Sequence, residues 1–479
     1  MNSAGQWGSS PDFRLPAHHG HPAWIVTCRS DTHSGARRAS RRKAPETSWR
    51  VRGKLKGRSR MRWLKASALL FSCGGLAACG ATGGSPSSAP PVSASTQPAI
   101  DAIVEQHYAG SWGVALGIYK NGSPLFVHGY GLRDRGLPDA FAGHDFWNVA
   151  QPDMLFKLPR GMFPPDENTV FDLASVSKEF TAGAILLLQQ DGKLSVSDPV
   201  SKYFPSFPNG NAISLLYLLQ HRSGVADYNS FGESPDFSGA YNTFLANGQS
   251  DYQPIVEQLA TLPLQLQPGT GYYYSNSDYL LLGMIVASES GEPLSAFLQQ
   301  RIFGPLGMAH THQGYPPPPV TDVALGYEDD GSGPRRSWQP NLAWLAGCGG
   351  MTSTVADLEA WDQAVRHPGI FTQDSLTQMF TQSPIPLPYG TYADGWFVSS
   401  LDGHPYVWHD GKITGFQTMN ATFPSDGIDI IVLTNSGSGL DPYYMIPQLF
   451  PAALSLAGAL PSSSLTSGTL PTTSGPSRN

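Results

Sequence analysis

The chain has 479 residues, of which 40% are hydrophobic and 11% aromatic, so it is long enough and apolar enough to bury a large core. Its net charge of −7 is unevenly distributed: residues 1–65 carry 15 Lys and Arg against three acids, whereas the remainder carries 15 basic and 34 acidic residues. The acidic body argues against nucleic acid as a partner, since phosphate backbones are bound by an excess of positive charge.

The segment 1–60 is basic, rich in Arg, Ser and Pro, and without a periodic apolar face. We interpret it as a disordered leader, and specifically as an over-extended reading frame that precedes a true start at Met61. A nucleic-acid-binding arm is the alternative interpretation of such a basic segment.

A lipoprotein signal peptide is predicted over 61–79. Residues 61–65 form a short basic region, and the uncharged stretch 66–78 is too short to span a bilayer. The stretch ends in Leu-Ala-Ala-Cys, which resembles a bacterial lipobox, and a flexible Gly-, Ser-, Thr- and Pro-rich linker follows at 80–97. We favour this interpretation over an ordinary signal peptide. It predicts export and a lipid on Cys79 that anchors the protein to a bacterial membrane, on the periplasmic or cell-surface side.

The cysteines lie at positions 28, 73, 79 and 348. Processing at Cys79 would leave Cys348 as the only thiol, so no disulfide within the chain is expected. Glycines flank Cys348 on both sides, and we interpret it as a small packed residue and not as a nucleophile.

The rest of the chain is predicted to form one domain over 98–458, followed by a disordered tail at 459–479 that is rich in Ser, Thr, Pro and Gly. Hydrophobic periodicity predicts these elements in chain order: a helix at 97–108, strands at 112–119 and 125–132, helices at 179–190 and 355–366, strands at 406–408, 415–423 and 428–434, and a closing helix at 443–457. Asn121-Gly122 joins the first two strands and is a strong hairpin signal.

The predicted strands flank a middle segment, 195–345, in which helices alternate with Pro- and Gly-rich loops. This order predicts an α/β (α+β) domain, with an antiparallel sheet assembled from both ends of the chain and helices packed on it. The middle segment is expected to form a mainly helical lobe, with the active site at the cleft between lobe and sheet. We expect the protein to be monomeric.

Ser175 and Lys178 form a Ser-x-x-Lys motif at the start of the apolar helix predicted at 179–190. Residues three apart on a helix share a face, which brings the two side chains together. A serine hydroxyl becomes a good nucleophile when a neighbouring base takes its proton, and a lysine with a lowered pKa can be that base. At the start of a helix, the N–H of Ser175 can also point at a developing oxyanion.

Tyr274 and Asn276 form a Tyr-x-Asn motif after the loop 267–271. A phenolate near cations can be a general base, and the amide can orient both the substrate and Lys178.

His409-Asp410-Gly411 is a third motif, predicted at the start of a strand, and Lys412 follows it. Glycine there would let a substrate approach the backbone, and the N–H of Lys412 is a candidate second oxyanion donor. A competing register treats 412–415 as a broken Lys-Thr-Gly motif.

These motifs occur in a fixed order, with roughly 100 and 135 residues between them. Further matching stretches are Leu-Leu-Gln-His-Arg-Ser-Gly at 218–224, Gln-Pro-Gly at 267–269, Pro-Leu-Gly-Met at 305–308, and Gly-Gly-Met-Thr-Ser-Thr with Asp-Leu over 349–358. Over about residues 100–455 the sequence resembles the serine β-lactamase and penicillin-binding-protein superfamily, in the branch that contains class C β-lactamases, DD-carboxypeptidases and esterases.

The resemblance implies a β-lactamase/transpeptidase-like fold and a serine hydrolase that forms an acyl-enzyme on Ser175 without a cofactor or metal. Two departures affect the expected substrate. His409 and Asp410 stand where true β-lactamases and many peptidases have lysine and threonine, and Arg222 replaces a usual threonine. The first departure removes a cation that would hold a substrate carboxylate, so strong β-lactamase activity is not expected.

Three hypotheses remain open. The leading one is an esterase, or a peptidase or amidase, of the β-lactamase-related family. The second is a β-lactamase or DD-carboxypeptidase that acts on β-lactams or peptidoglycan peptides. The third is a non-catalytic binding protein on the same fold, although such a protein would be expected to have lost Ser175, Lys178 or Tyr274. A metal site at His310 and His312 is disfavoured because no third ligand has a useful spacing.

Overall fold

The computed structural model describes residues 96–108, 112–136, 163–229, 237–314, 322–337 and 341–458. The predictions for the leader, the signal peptide with Cys79, most of the linker and the tail lie outside these ranges. Among the described residues, no helix is both long enough and apolar enough to cross a membrane.

The helices are α1 (Thr96–His107), α2 (Ser177–Gln190), α3 (Leu215–Leu219), α4 (Ser238–Ala246), α5 (Gln253–Leu259), α6 (Asn276–Ser290), α7 (Leu294–Leu298), α8 (Gly304–Leu306), α9 (Val355–Arg366), α10 (Gln373–Met379) and α11 (Ile446–Leu456). The strands are β1 (Val114–Lys120), β2 (Ser123–Tyr130), β3 (Phe171–Asp172), β4 (His312–Gln313), β5 (Tyr327–Glu328), β6 (Arg335–Arg336), β7 (Met351–Ser353), β8 (Thr391–Tyr392), β9 (Phe397–Leu401), β10 (His404–Ile413), β11 (Phe416–Phe423) and β12 (Ile428–Thr434).

The main sheet is antiparallel and has seven strands in the order β2-β1-β12-β11-β10-β9-β8. Strands from the two ends of the domain meet where β1 pairs with β12, with Ile118 opposite Ile430. Asn121 and Gly122 turn the β1–β2 hairpin with positive φ angles of 47° and 80°, as a type I′ turn requires. The predicted assembly of one sheet from both ends of the chain is confirmed.

Helices cover both faces of this sheet, which explains why β12 is buried along its whole length. Ile430 and Val432 pack with residues of α1 and α11 on one face. Ile431 and Leu433, which alternate with them, pack with residues of α2 and α9 on the other face. The helical middle segment packs against α2 through α6, so the catalytic motifs lie on the side of the sheet where α2 packs.

The predicted helices agree with α1, α2 and α9, and the bounds of α9 are those expected. The prediction that His409 begins a strand is wrong, because β10 starts at His404 and runs without interruption through Gly411 to Ile413. Asp and Gly have low strand propensity, so the pattern at 409–411 resembled a boundary, whereas pairing with β9 and β11 holds the strand in place. Sequence reasoning also missed β8 and β9.

Replacing Leu282 with alanine tests the core of the helical lobe. Leu282 lies on α6 and is 0% exposed, so Leu282→Ala should lower the free energy of unfolding by about 2–5 kcal/mol through a cavity. The matched control is Leu440→Ala, at a side chain that is 45% exposed, where the change should stay within about 0.5 kcal/mol. Chemical denaturation measures both variants, and equal effects would contradict the described packing.

Candidate active site

Ser175 lies in a short 3₁₀ turn, Ala174–Val176, that leads directly into α2. Ala174 before it has a φ of 47°, which is unusual for a residue with a side chain. The Asp172 carboxylate accepts a hydrogen bond from the Ala174 N–H at 2.9 Å and helps to hold this conformation. The turn leaves Ser175 partly exposed while Ala174 and Val176 on either side are buried.

Lys178 lies one helical turn after Ser175 and is fully buried. Its Nζ donates to Ser175 Oγ at 3.0 Å, to Asn276 Oδ1 at 2.9 Å and to the backbone carbonyl of Cys348 at 2.6 Å. These three acceptors match the three hydrogens of an ammonium group. Cys348 thus contributes its backbone, while its thiol is buried and has a raised pKa because of burial.

Burial lowers the pKa of Lys178 to about 8, although the negative charges of Asp227 and Asp410 act in the opposite direction. Burial raises the pKa of Tyr274 well above its usual value, so its side chain is a phenol at neutral pH. The Tyr274 hydroxyl donates to Ser175 Oγ at 2.9 Å. Lys178 is therefore the group beside Ser175 that can lose its proton near neutral pH, and the resting tyrosine is not the phenolate that the motif alone suggested.

Asn276 is the first residue of α6, and Asp227 fixes its orientation. The Asp227 carboxylate accepts from Asn276 Nδ2 at 3.1 Å and from the Asn276 N–H at 3.3 Å. Because Nδ2 is directed to a carboxylate, Oδ1 is left to face Lys178. Sequence reasoning missed Asp227, whose only signal is its position three residues after Gly224 in the Leu-Leu-x-His-x-Ser-Gly stretch.

His221, from the same stretch, packs against the Tyr274 ring with 4.3 Å between ring centroids. Its Nδ1 lies 3.1 Å from Asp278 Oδ2, and Ser223 Oγ donates to Asp278 Oδ1 at 2.5 Å. Burial lowers the pKa of His221 well below its usual value, so the ring is neutral. The stretch therefore supports Tyr274 from behind and supplies no group to the nucleophile.

His409 lies on β10 with its ring centroid 6.5 Å from that of Tyr274, in the wall of the site. Its Nδ1 is 2.6 Å from the Asp410 carbonyl and its Nε2 is 3.0 Å from the Tyr392 hydroxyl. Because a carbonyl only accepts, Nδ1 carries a hydrogen and donates to it, while Nε2 shares a hydrogen bond with the Tyr392 hydroxyl. Tyr392, which lies on β8, was not predicted as part of the site.

Gly411 allows β10 to approach the nucleophile turn closely. A Cβ at this position would lie 2.2 Å from the Leu173 carbonyl oxygen and 2.3 Å from Thr418 Oγ1, so a side chain would displace the strand. The side chain of Lys412 is exposed, whereas His409 is buried next to Tyr274, which favours the register that assigns the third motif to His409. The role of the Lys412 N–H as an oxyanion donor stays a prediction.

Residues 100–449 match a family model described as Beta-lactamase. PbpX, a candidate penicillin-binding protein of Bacillus subtilis (strain 168), is 32% identical over 269 residues, which cover 55% of this chain and 61% of that protein. The chain thus spans about three fifths of the length of this curated relative.

Two solved structures are similar. The D-amino acid amidase of Ochrobactrum anthropi SV3, in complex with L-phenylalanine amide, has a TM-score of 0.61 and 26% identity, covering 76% of this chain and 98% of that one. A D-stereospecific amidohydrolase from Streptomyces sp. has a TM-score of 0.55 and 22% identity, covering 74% and 97%, and supports the fold alone.

The pKa of Lys178 predicts how nucleophile reactivity depends on pH. Only the neutral amine can accept the Ser175 proton, so the rate of labelling by a fluorophosphonate probe should rise with pH, with a midpoint near 8, and then level off. It should not fall again below a pH of about 10, because Tyr274 stays protonated there.

Two variants control this experiment. Ser175→Ala should abolish labelling. Lys178→Arg keeps a positive charge that cannot be removed in this range, so labelling should be slower by several orders of magnitude and lack the midpoint near 8. A labelling rate that is independent of pH between about 6.5 and 9.5 would contradict the assignment of Lys178 as the base.

Proposed function

The chain belongs to the beta-lactamase family, and we propose that it hydrolyses amides or esters of amino acids and short peptides that carry no carboxylate beside the scissile bond. It is a serine hydrolase, like the amidases and penicillin-binding proteins it resembles. The observation that carries the proposal is the pair His409 and Asp410 on β10, which places a tyrosine-bonded imidazole and a carboxylate where many relatives have lysine and threonine.

Acylation begins at Ser175 Oγ, which both Lys178 Nζ and the Tyr274 hydroxyl contact at hydrogen-bond distance. Neutral Lys178 takes the serine proton as Oγ attacks the acyl carbonyl. The oxyanion is held by the N–H groups of Ser175 and Lys412, each worth roughly 3–4 kcal/mol in comparable hydrolases. Tyr274 passes its proton to the leaving nitrogen or oxygen and regains one from Lys178, so the leaving group departs neutral.

Deacylation reverses these proton transfers. Water takes the place of the leaving group and attacks the acyl carbonyl as Tyr274 takes its proton and passes its own proton to Lys178. Ser175 Oγ then leaves and recovers its hydrogen from Lys178. Asn276, held by Asp227, keeps Lys178 in position during both halves.

The charges around the nucleophile support this substrate class. Asp227 and Asp410 lie close enough for their negative charge to raise the pKa of Lys178, and Asp410 also acts on Tyr274. A substrate carboxylate that entered beside His409 would approach Asp410 and be repelled. A substrate with an α-ammonium group or a neutral amide would not be repelled. The similar solved structure is named a D-amino acid amidase, and that name describes an enzyme for amino acid amides.

A second candidate is a DD-carboxypeptidase, favoured by the identity of 32% to a candidate penicillin-binding protein. The substrates of a DD-carboxypeptidase end in a free carboxylate. The two candidate functions can therefore be distinguished by whether the preferred substrate carries a negative charge at that end.

A substrate panel tests the proposal. Amino-acid p-nitroanilides and short-chain p-nitrophenyl esters should be hydrolysed with higher kcat/KM than nitrocefin or D-alanyl-D-alanine peptides, because the latter two carry a carboxylate. The double variant His409→Lys/Asp410→Thr should shift the ratio toward nitrocefin by about one to two orders of magnitude, since it restores a charge-assisted hydrogen bond.

Ser175→Ala is the control for catalysis by the serine. Efficient hydrolysis of nitrocefin or D-alanyl peptides by the unmodified enzyme, with poor turnover of the uncharged substrates, would overturn the substrate proposal and leave the family assignment unaffected.

We further propose that the protein is exported and lipid-anchored through Cys79. The lipobox-like Leu-Ala-Ala-Cys and the flexible linker after it support this proposal. In a bacterial host, a clickable palmitate analogue should label the protein, Cys79→Ser should lose the label, and Cys348→Ser should keep it. Label retained on the Cys79→Ser variant would exclude the anchor.

A further inference from the structure

A cluster of buried carboxylates lies apart from the catalytic groups, between the main sheet and α9. Glu359 and Asp362 come from α9, three residues apart on one helix face, and Asp429 comes from β12. One carboxylate oxygen of each lies within 4.8 Å of those of the other two. Their exposed fractions are 6%, 0% and 0%, so solvent does not screen their mutual repulsion.

A fourth carboxylate joins the cluster through an amide. Asn420 Nδ2, on β11, donates to Asp362 Oδ1 at 2.9 Å and to Glu179 Oε2 at 3.0 Å. Glu179 follows the catalytic Lys178 directly in the chain, which connects the cluster to α2.

The positive charge at the cluster is smaller than the negative charge. Among the described ion pairs, one involves these carboxylates, between Arg366 Nη2 and Asp429 Oδ2 at 2.7 Å. Four carboxyl groups thus face one guanidinium in a dry interface, where uncompensated charge is strongly disfavoured.

Several oxygens at the cluster have no hydrogen-bond donor. Asp362 Oδ2, Glu179 Oε1 and the amide oxygen Asn420 Oδ1 are fully buried and have no hydrogen-bond partner among the described residues. Buried acceptors are almost always paired, so these atoms are available to a bound cation or to a proton carried by one of the carboxyl groups. Asn420 is a neutral residue that contacts the cluster through its Nδ2, and its own oxygen is a further buried acceptor without a donor among the described residues.

We propose that this cluster, Glu359, Asp362 and Asp429 with the Asn420 amide beside them, binds a hard divalent cation and that Ca²⁺ is the preferred ion. All of the available donors are oxygen, which excludes a site built for soft metals. Ca²⁺ accepts carboxylate and carbonyl oxygens in flexible geometries at about 2.3–2.6 Å, whereas Mg²⁺ retains several waters that a buried site cannot easily hold. A bound ion would join α9 to β12.

Protons are the competing occupants. Burial and the neighbouring negative charges raise the pKa of Asp362 and of Glu359, and a protonated Glu359 could donate to Asp429. The two alternatives predict opposite effects on stability when a carboxylate is removed. A bound cation would lose part of the negative charge that holds it, which destabilises the protein. A cluster of protonated carboxyl groups would lose a buried polar group, which stabilises the protein.

The test uses the purified chain after treatment with EDTA and dialysis. Ca²⁺ at saturating concentration should raise the Tm by at least about 3 °C, and Mg²⁺ should raise it less. Tb³⁺, a luminescent probe for Ca²⁺ sites, should bind at one site per chain with luminescence that tryptophan excites. Trp361 is a suitable donor because its Nε1 bonds Glu179 Oε2 at 2.8 Å, and Ca²⁺ should displace the signal.

Asp362→Asn should abolish both the Tb³⁺ signal and the rise in Tm, while fluorophosphonate labelling of Ser175 reports that the variant is folded. The matched control is Asp374→Asn, at an exposed acid in the first turn of α10, which should respond as the wild type does. The proposal is overturned if Ca²⁺ leaves the wild-type Tm unchanged, if Asp362→Asn is more stable than the wild type without Ca²⁺, or if it retains the Tb³⁺ signal. Should Asp362→Asn not fold, displacement of Tb³⁺ by Ca²⁺ on the wild type decides the question.

Discussion

The buried amine of Lys178 is the constraint on which the rest of the site depends. A lysine with no exposed surface is held in place by one acceptor from each of three separate segments: Ser175, Asn276 and the backbone of Cys348. Each segment has its own support, since Asp227 orients Asn276 and the start of α2 carries Ser175. The same burial that makes these bonds necessary lowers the pKa of the amine into the range where it can exchange protons with a serine.

The two faces of the main sheet differ in the side chains that they carry. On one face α1 and α11 pack against mostly apolar strand residues, with Gln417 as a polar residue that accepts a hydrogen bond from Tyr108. The other face carries polar groups at defined positions. Thr418 donates to the Leu173 carbonyl just before the nucleophile turn. Asn420 reaches α2 and Asp429 reaches α9. The catalytic turn and the acidic cluster are therefore both attached to this polar side of the sheet, and α2 contacts both through Lys178 and Glu179.

The sequence alone was sufficient to predict those parts of the structure that depend on residues close together in the chain. The spacing of Ser175 and Lys178, the helix at 355–366 and the turn at Asn121-Gly122 belong to this group. Sequence order also placed Tyr274 and Asn276 with them, because the motifs resemble a known family.

Contacts between distant segments were not accessible in the same way. Asp227 bonds Asn276 across 49 residues, and the Cys348 carbonyl bonds Lys178 across 170. A backbone acceptor has no signature in the residue type, so nothing in the sequence marks position 348 as part of the site.

The carbonyl at 348 also makes the site tolerant of substitution at that position. A substitution replaces the side chain and keeps the backbone carbonyl. One of the three hydrogen bonds of the Lys178 amine therefore does not depend on which residue stands at position 348. The thiol makes contacts of its own, with the Tyr228 hydroxyl and the Leu345 carbonyl at 3.3 Å each, so a replacement at this position has to be small enough to leave the carbonyl where it is.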